Sequence, residues 1–279
     1  MSLLNLLTYI TWDVDPDIFT IPFINHPVRW YGLLFASAFL ISQQIMNHIY
    51  KKEGRPVSEV DTLTIYMVVA TIVGARLGHV LFYDPVHYFQ NPQKIFMVWE
   101  GGLASHGGVI GILLALYLFA RKTNVNYFWA LDRISIVASF TFCMIRIGNL
   151  MNSEMIGIPT NLPWGFIFTM KDDVPRHPAQ LYEAIHYFIW FVVLFWLWSR
   201  QGDKLKDGFL FGWSLIVLFS LRFVDEFFKL DQVQFEEGMI LNMGQLLSIP
   251  FILTGIVILI VNKTKKREAI PSDEVVADG

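Results

Sequence analysis

Charge is scarce in this chain. Only 16% of its 279 residues are Asp, Glu, Lys or Arg, where a soluble domain carries about 25%. That excludes an ordinary water-facing surface. Cysteine is scarcer still. Cys143 stands alone, so an internal disulfide framework is excluded. It lies in an apolar run and reads as core filler. No HExxH helix, paired-cysteine metal motif, GxSxG elbow or Walker loop occurs. The chain is therefore expected not to use a covalent nucleophile of its own, and neither a metal nor another cofactor is expected. The N-terminus, MSLLNLLTYITWDVDPD, lacks a basic n-region and soon turns acidic. It is not read as a cleaved signal peptide. No internal repeat is visible.

Apolar residues are abundant: 54% of the chain is hydrophobic and 15% aromatic, with a mean hydropathy of +0.47. Several runs reach the roughly 20 residues that span a hydrocarbon core. The predicted fold class is all-α: a polytopic integral membrane protein with seven transmembrane helices, near residues 30–50, 61–83, 103–121, 128–150, 179–199, 208–229 and 243–262. Residues 1–262 form one transmembrane domain, and 263–279 a polar cytoplasmic tail. Lys and Arg set the orientation. Thirteen fall on one set of connections, among them Lys51, Lys52, Arg55, Arg121, Lys122 and the tail cluster. Five fall on the other: Arg29, Lys94, Lys171, Arg176 and Lys229. This predicts a cytoplasmic C-terminus and an outside N-terminus. Trp99, Trp164, Tyr83 and Tyr88 suit the membrane–water boundary.

Three arginines interrupt these runs: Arg76, Arg146 and Arg222. At mid-bilayer each costs roughly 2.5–3.5 kcal/mol on the lenient insertion scale. All three fall towards the outer ends of their spans, with His106 and Glu183 at similar depth. Independent snorkelling side chains scatter to both faces. Gathering at one depth predicts a shared cationic enclosure for an anionic substrate.

The densest stretch is RIGNLMNSEMIG, Arg146 to Gly157. Arg146 and Asn149 share a helix face, and Asn152 and Glu154 follow at the helix exit. A guanidinium, two amides and a carboxylate there suit a phosphodiester and its hydroxylated head group; a helix cap with an incidental Arg–Glu pair is the plainer alternative. Arg222 and Glu226 are four apart, so Glu226 either orients Arg222 or simply neutralises it. His106 sits among glycines in EGGLASHGGVIG, open to close approach. Near its ordinary pKa it can act as a base, or it is a hydrogen-bonded structural histidine. Ala70, Gly74 and Gly78 form a small-residue seam for tight helix packing. Tyr182 and Glu183 either border the site or support it. An organic-anion transporter and a scaffold without chemistry are the rival classes. The first needs polar residues through both halves of the bilayer, and the second needs no such cluster.

At this point the chain resembles the prolipoprotein diacylglyceryl transferase family. The resemblance runs from about Val28 to the last span. It is carried by Arg29-Trp-Tyr-Gly32, Gly74-Ala-Arg-Leu-Gly78, His106-Gly-Gly-Val-Ile-Gly111 and Arg146-Ile-Gly-Asn149 with Asn152, Glu154 and Gly157. Arg176-His-Pro-Ala-Gln-Leu-Tyr-Glu183, Arg222-Phe with Glu226-Phe-Phe, and Gly244-Gln-Leu-Leu-Ser248 complete it. Ile145 and Leu150 depart from the usual Gly and Phe of the pattern; both changes are apolar. The resemblance implies transfer of a diacylglyceryl group from phosphatidylglycerol to the lipobox cysteine of a prolipoprotein signal peptide, with release of glycerol phosphate. It makes the transmembrane domain the catalytic one, in the bacterial inner membrane, with the site towards the outer leaflet. On this reading His106, Arg146 and Arg222 are catalytic, and Tyr31, Arg76, Asn149, Asn152, Glu154, Gly157 and Glu226 bind substrate. A monomer without nucleic-acid partners is expected.

Overall fold

The structure is a computed structural model describing residues 9–23, 25–202, 204–230 and 239–264. The polar tail from 265 and the first eight residues lie outside the described residues, so the readings made on them do too. Seven helices of 17 to 25 residues dominate: α1 (Trp30–Lys52), α2 (Ser58–Phe82), α4 (Ser105–Thr123), α5 (Tyr127–Met151), α6 (Ala179–Gln201), α7 (Phe209–Asp225) and α8 (Met243–Thr264). A short helix α3 (Pro85–Gln90) follows α2. Helices α2, α5, α6 and α8 are long and apolar enough to cross a membrane. At 17 residues α7 is about 26 Å long, a little under a typical hydrocarbon core.

The expectation of an all-α protein needs one correction. Five short strands lie outside the long helices. β1 (Ile10–Trp12) pairs parallel with β4 (Phe166–Phe168), which pairs antiparallel with β5 (Pro175–Arg176). β2 (Asp17–Ile21) and β3 (His26–Arg29) form a hairpin leading into α1. These strands are too short to show a period in sequence. The β1–β4 pair is held by contacts distant in the chain: Trp12 donates its indole N–H to the Leu150 carbonyl at 3.0 Å and packs with Phe166 and Phe168 on the end of α5.

Close helix contact rests on absent side chains. The α2 seam packs on α4, where a Cβ on Gly107 would strike the Gly74 carbonyl oxygen and one on Gly111 the Ala70 carbonyl oxygen. Removing Cβ lets the two backbones touch, the usual route to tight packing where lipid provides no hydrophobic drive. Gly212 of α7 and Gly255 of α8 make a second such contact, at 2.6 Å from a Gly255 Cβ to the Gly212 carbonyl oxygen.

At one end of the bundle the interior is apolar, built from Ile49, Tyr50, Phe119, Ile136, Leu194 and Leu210. Its buried charged groups are paired. Glu53 takes Arg133 at 2.7 Å and the indoles of Trp129 and Trp198 at 3.0 and 2.6 Å. Asp132, 1% exposed, accepts from the backbone N–H of Gly208 and Phe211, each at 2.8 Å. It thus caps the start of α7 from a neighbouring helix, satisfying donors that a helix N-terminus leaves open. The candidate site lies at the opposite ends of α5 and α7.

Candidate functional site

At those ends, charged side chains from α5, α6, α7 and the turn after α7 meet. Arg146 Nε lies 2.9 Å from Glu183 Oε2. The other oxygen of Glu183 accepts from Lys229 Nζ at 2.8 Å. Lys229 also donates to Glu226 Oε1 at 3.0 Å, and Arg222 Nε approaches that same oxygen at 3.8 Å. The result is an unbroken alternating series: Arg146, Glu183, Lys229, Glu226, Arg222. Glu183 is fully buried, with Lys229 and Glu226 at 7% and 8% exposure. Charges so placed survive only when paired.

The contacts are unequal. The Arg146–Glu183 approach is short, yet Glu183 Oε2 has no aligned hydrogen-bond donor. It is an ion pair without good hydrogen-bond geometry, so the guanidinium is held by charge more than by direction. At 3.8 Å Arg222 is held more loosely still, and its side chain is 37% exposed. Among the described residues, Arg146 Nη2 and both Arg222 Nη atoms make no hydrogen bond. Their N–H groups are available to an anion.

The polar residues after Arg146 extend the site. Arg146 Nη1 donates to Asn149 Oδ1 at 3.3 Å. Asn149 and Asn152 donate to the two oxygens of Glu154, each at 3.3 Å. Glu154 is exposed and Asn149 buried. Here α5 ends in a tight turn, with Ser153 at φ +51° and Met155 at φ +57°. Such left-handed backbone is costly for residues with side chains. It is held by Glu154 N–H on the Asn149 carbonyl at 2.9 Å and by Gln180 donating to the Glu154 carbonyl. Gly148 leaves room for Tyr31: a Cβ there would come within 2.8 Å of the Tyr31 ring. Tyr31 of α1 is thereby seated against α5 two residues along from Arg146.

Gly157 acts at the backbone. Its N–H donates to the His177 carbonyl at 2.9 Å, and it bridges Lys229 in antiparallel fashion. A Cβ would lie 2.5 Å from both the His177 and the Phe228 carbonyl oxygens. Only glycine lets these three segments converge. Burial pushes the His177 imidazole below its usual pKa, while the Arg176 guanidinium, 2.5 Å from Asp172, holds that carboxyl below the usual carboxylate range.

Two expected members lie elsewhere. Arg76, 3% exposed, directs its donors at backbone carbonyls of residues 94–102. They reach Ile95 at 2.9 Å, Met97 and Gly102 at 3.1 Å, and also Lys94 and Gly101. It stacks on Tyr88, 4.9 Å from the ring centroid. Arg76 therefore clamps a loop, and the expected trio of arginines becomes two arginines with a lysine. Five carbonyls account for its burial without an anion. His106 is exposed, makes no hydrogen bond or ion pair among the described residues, and lines an apolar groove of about 1070 Å³ between α2 and α4.

Sequence reasoning did not place Lys229, Asn242 or Gly244 here. Asn242 donates to Glu226 Oε2 at 3.3 Å, and a Cβ on Gly244 would come within 2.5 Å of the Glu226 carboxyl. Lys229 lies three residues after Glu226, a spacing that brings side chains together on a helical turn; that was the available signal.

Apolar helices enclosing a paired but incompletely saturated set of cations define a helical integral membrane protein with a charged interior site. The chain belongs to the prolipoprotein diacylglyceryl transferase family, whose family model matches residues 16–261. It is 47% identical over 256 residues to the phosphatidylglycerol–prolipoprotein diacylglyceryl transferase of Tolumonas auensis, covering 91% of this chain and 98% of that one. The proteins of the same name from Porphyromonas gingivalis and Chloroherpeton thalassium are 45% and 43% identical. Those two matches cover 92% and 90% of this chain, and 96% and 94% of theirs.

Proposed function

We infer that this chain transfers the diacylglyceryl group of phosphatidylglycerol to the lipobox cysteine thiol of prolipoproteins. One observation supports the mechanism: Arg146 and Arg222 are tied into one series of charges while, among the described residues, Arg146 Nη2 and the Arg222 Nη atoms make no hydrogen bond. In the reaction a C–S bond forms at the diacylglyceryl carbon as its C–O bond to phosphorus breaks. Glycerol phosphate departs with the bonding electrons, so the phosphate goes from one negative charge towards two. Cations at those oxygens hold the transition state more tightly than the ground state, which is what accelerates a reaction.

Arg146 and Arg222 grip the phosphate, and Glu226 orients Arg222. Tyr31, Asn149, Asn152 and Glu154 position the glycerol head, and Gly157 shapes the floor. Arg76 serves by fixing the loop after α3. His106, apart from the charged cluster, takes the thiol proton as the peptide enters along its groove, since thiolate is the nucleophile. Its place on a groove lined by Gly74, Gly78, Ile110 and Leu114 supports this, because a lipid-borne or helical substrate can reach it from the membrane. His106→Gln is expected to slow turnover about 10²-fold or more in a purified transfer assay; full rate would remove it from the mechanism.

All seven long helices span the bacterial inner membrane as one catalytic domain, as a monomer. The N-terminus lies outside, the polar tail inside, and the site faces the outer leaflet. The direct test incubates purified protein with phosphatidylglycerol vesicles and a lipobox peptide, then weighs the peptide. A diacylglyceryl mass gain, absent from a peptide with Cys replaced by Ser, is the expected result. No gain in the cysteine peptide would defeat the assignment.

A further inference from the structure

We propose that Lys229 is a positioning residue that sets the charge of the site, turning two self-cancelling Arg–Glu pairs into a singly cationic cluster matched to a phosphodiester. The proposal rests on the reading that Arg146 and Arg222 hold a phosphate.

The formal count makes the case. Arg146, Arg222 and Lys229 are three cations; Glu183 and Glu226 are two carboxylates. Together they leave one positive charge, the complement of a phosphodiester monoanion. Without Lys229 the count falls to zero. Each carboxylate is then left with an arginine as its one cation, and an incoming phosphate must compete with Glu183 and Glu226 for the same guanidinium groups. Lys229 occupies one oxygen on each carboxylate, at 2.8 and 3.0 Å. It thereby leaves Arg222 at 3.8 Å from Glu226 and exposed enough to turn to a ligand.

Neighbouring charges do not supply the same service. Asp225 is taken by His186 at 3.0 Å. Arg176 is taken by Asp172. Glu154 is exposed, and its carboxylate is held by two amides. The Lys229 side chain is also not what places its own backbone. Lys229 N–H donates to the Glu226 carbonyl, Leu230 N–H to the Ile156 carbonyl, and Ile158 N–H to the Phe228 carbonyl. Those bonds persist when the ammonium is removed.

Four proteins separate charge setting from simple stapling: the unaltered chain, Lys229→Arg, Lys229→Met, and Lys229→Met combined with Glu183→Gln. Each is purified and given phosphatidylglycerol vesicles and saturating lipobox peptide, and kcat and KM for the lipid are measured. Lys229→Arg is expected to stay within about threefold of the unaltered chain, and Lys229→Met to lose about 100-fold in kcat/KM, with KM itself raised. The double variant restores the single positive charge and is expected to recover at least tenfold over Lys229→Met. A mere staple predicts the reverse, because the double variant has lost more partners. A double variant no faster than Lys229→Met overturns the proposal. If Lys229→Met does not accumulate as monodisperse protein, a double variant slower than one hundredth of Lys229→Arg overturns it instead, and a faster one sustains it. Absence of transfer by the unaltered chain would sink the phosphate reading itself, a separate outcome.

Discussion

Arg146→Ala is expected to reduce turnover about 10³-fold while leaving a folded protein. The kinetic part follows from position. In the proposed reaction Arg146 is a guanidinium aimed where phosphate charge grows, and removing one such donor costs about 10²–10³ in kcat. Its loss also frees Asn149, whose amide oxygen it holds, so the glycerol head is misplaced as well. The structural part follows from Glu183, which keeps Lys229 at 2.8 Å when Arg146 is gone. The buried carboxylate therefore stays paired. Steady-state transfer with phosphatidylglycerol vesicles checks the first claim, and thermal unfolding in detergent the second. Turnover near that of the unaltered chain would exclude Arg146 from the phosphate site. Arg146→Lys is expected to fall between, because an ammonium has no planar fork.

Glu183→Ala is expected to do the opposite: it breaks the protein before it breaks the chemistry. Glu183 is the one carboxylate shared by Arg146 and Lys229, and it has no exposure to solvent. Removing it leaves two cations side by side in the interior. Breaking a buried pair from one side costs about 3–5 kcal/mol. The expected readout is a sharply lower unfolding midpoint and poor accumulation. Glu183→Gln keeps an oxygen in place and is expected to be milder. An unchanged midpoint for Glu183→Ala would show that the series of charges contributes nothing to the fold.

The contrast between these residues marks where sequence reading succeeds. The seven long helices were legible because apolar runs of near-spanning length have one economical solution. The α2 seam was legible too, since Ala70, Gly74 and Gly78 repeat every four residues. Arg146 with Asn149, and Arg222 with Glu226, were readable as local pairs because helical spacing puts each together, and Glu154 because it follows closely in sequence. Arg76 shows the limit. Its burial requires partners, but nothing local says whether these are five carbonyls or an anion. Lys229 shows another. A lysine at the end of an apolar run is ordinarily a snorkelling side chain. Only its distant partner Glu183, brought in by α6, reveals otherwise. β1 escaped notice for the same reason, since its partner β4 lies far along the chain, and the other strands because they are too short to show a period.

The Asp132 cap has a metric consequence. Fourteen residues separate Asp132 from Arg146 along α5, and fourteen separate Gly208 from Arg222 along α7. Both arms rise from one pinned junction and run the same way, each about 21 Å long at 1.5 Å per residue. Like two rulers nailed at a common zero, they bring their guanidinium marks level. Inserting or deleting a single residue in either arm would shift one mark by about 1.5 Å and swing it by about 100°, so the distance between two remote helix positions is itself a heritable part of the catalytic apparatus.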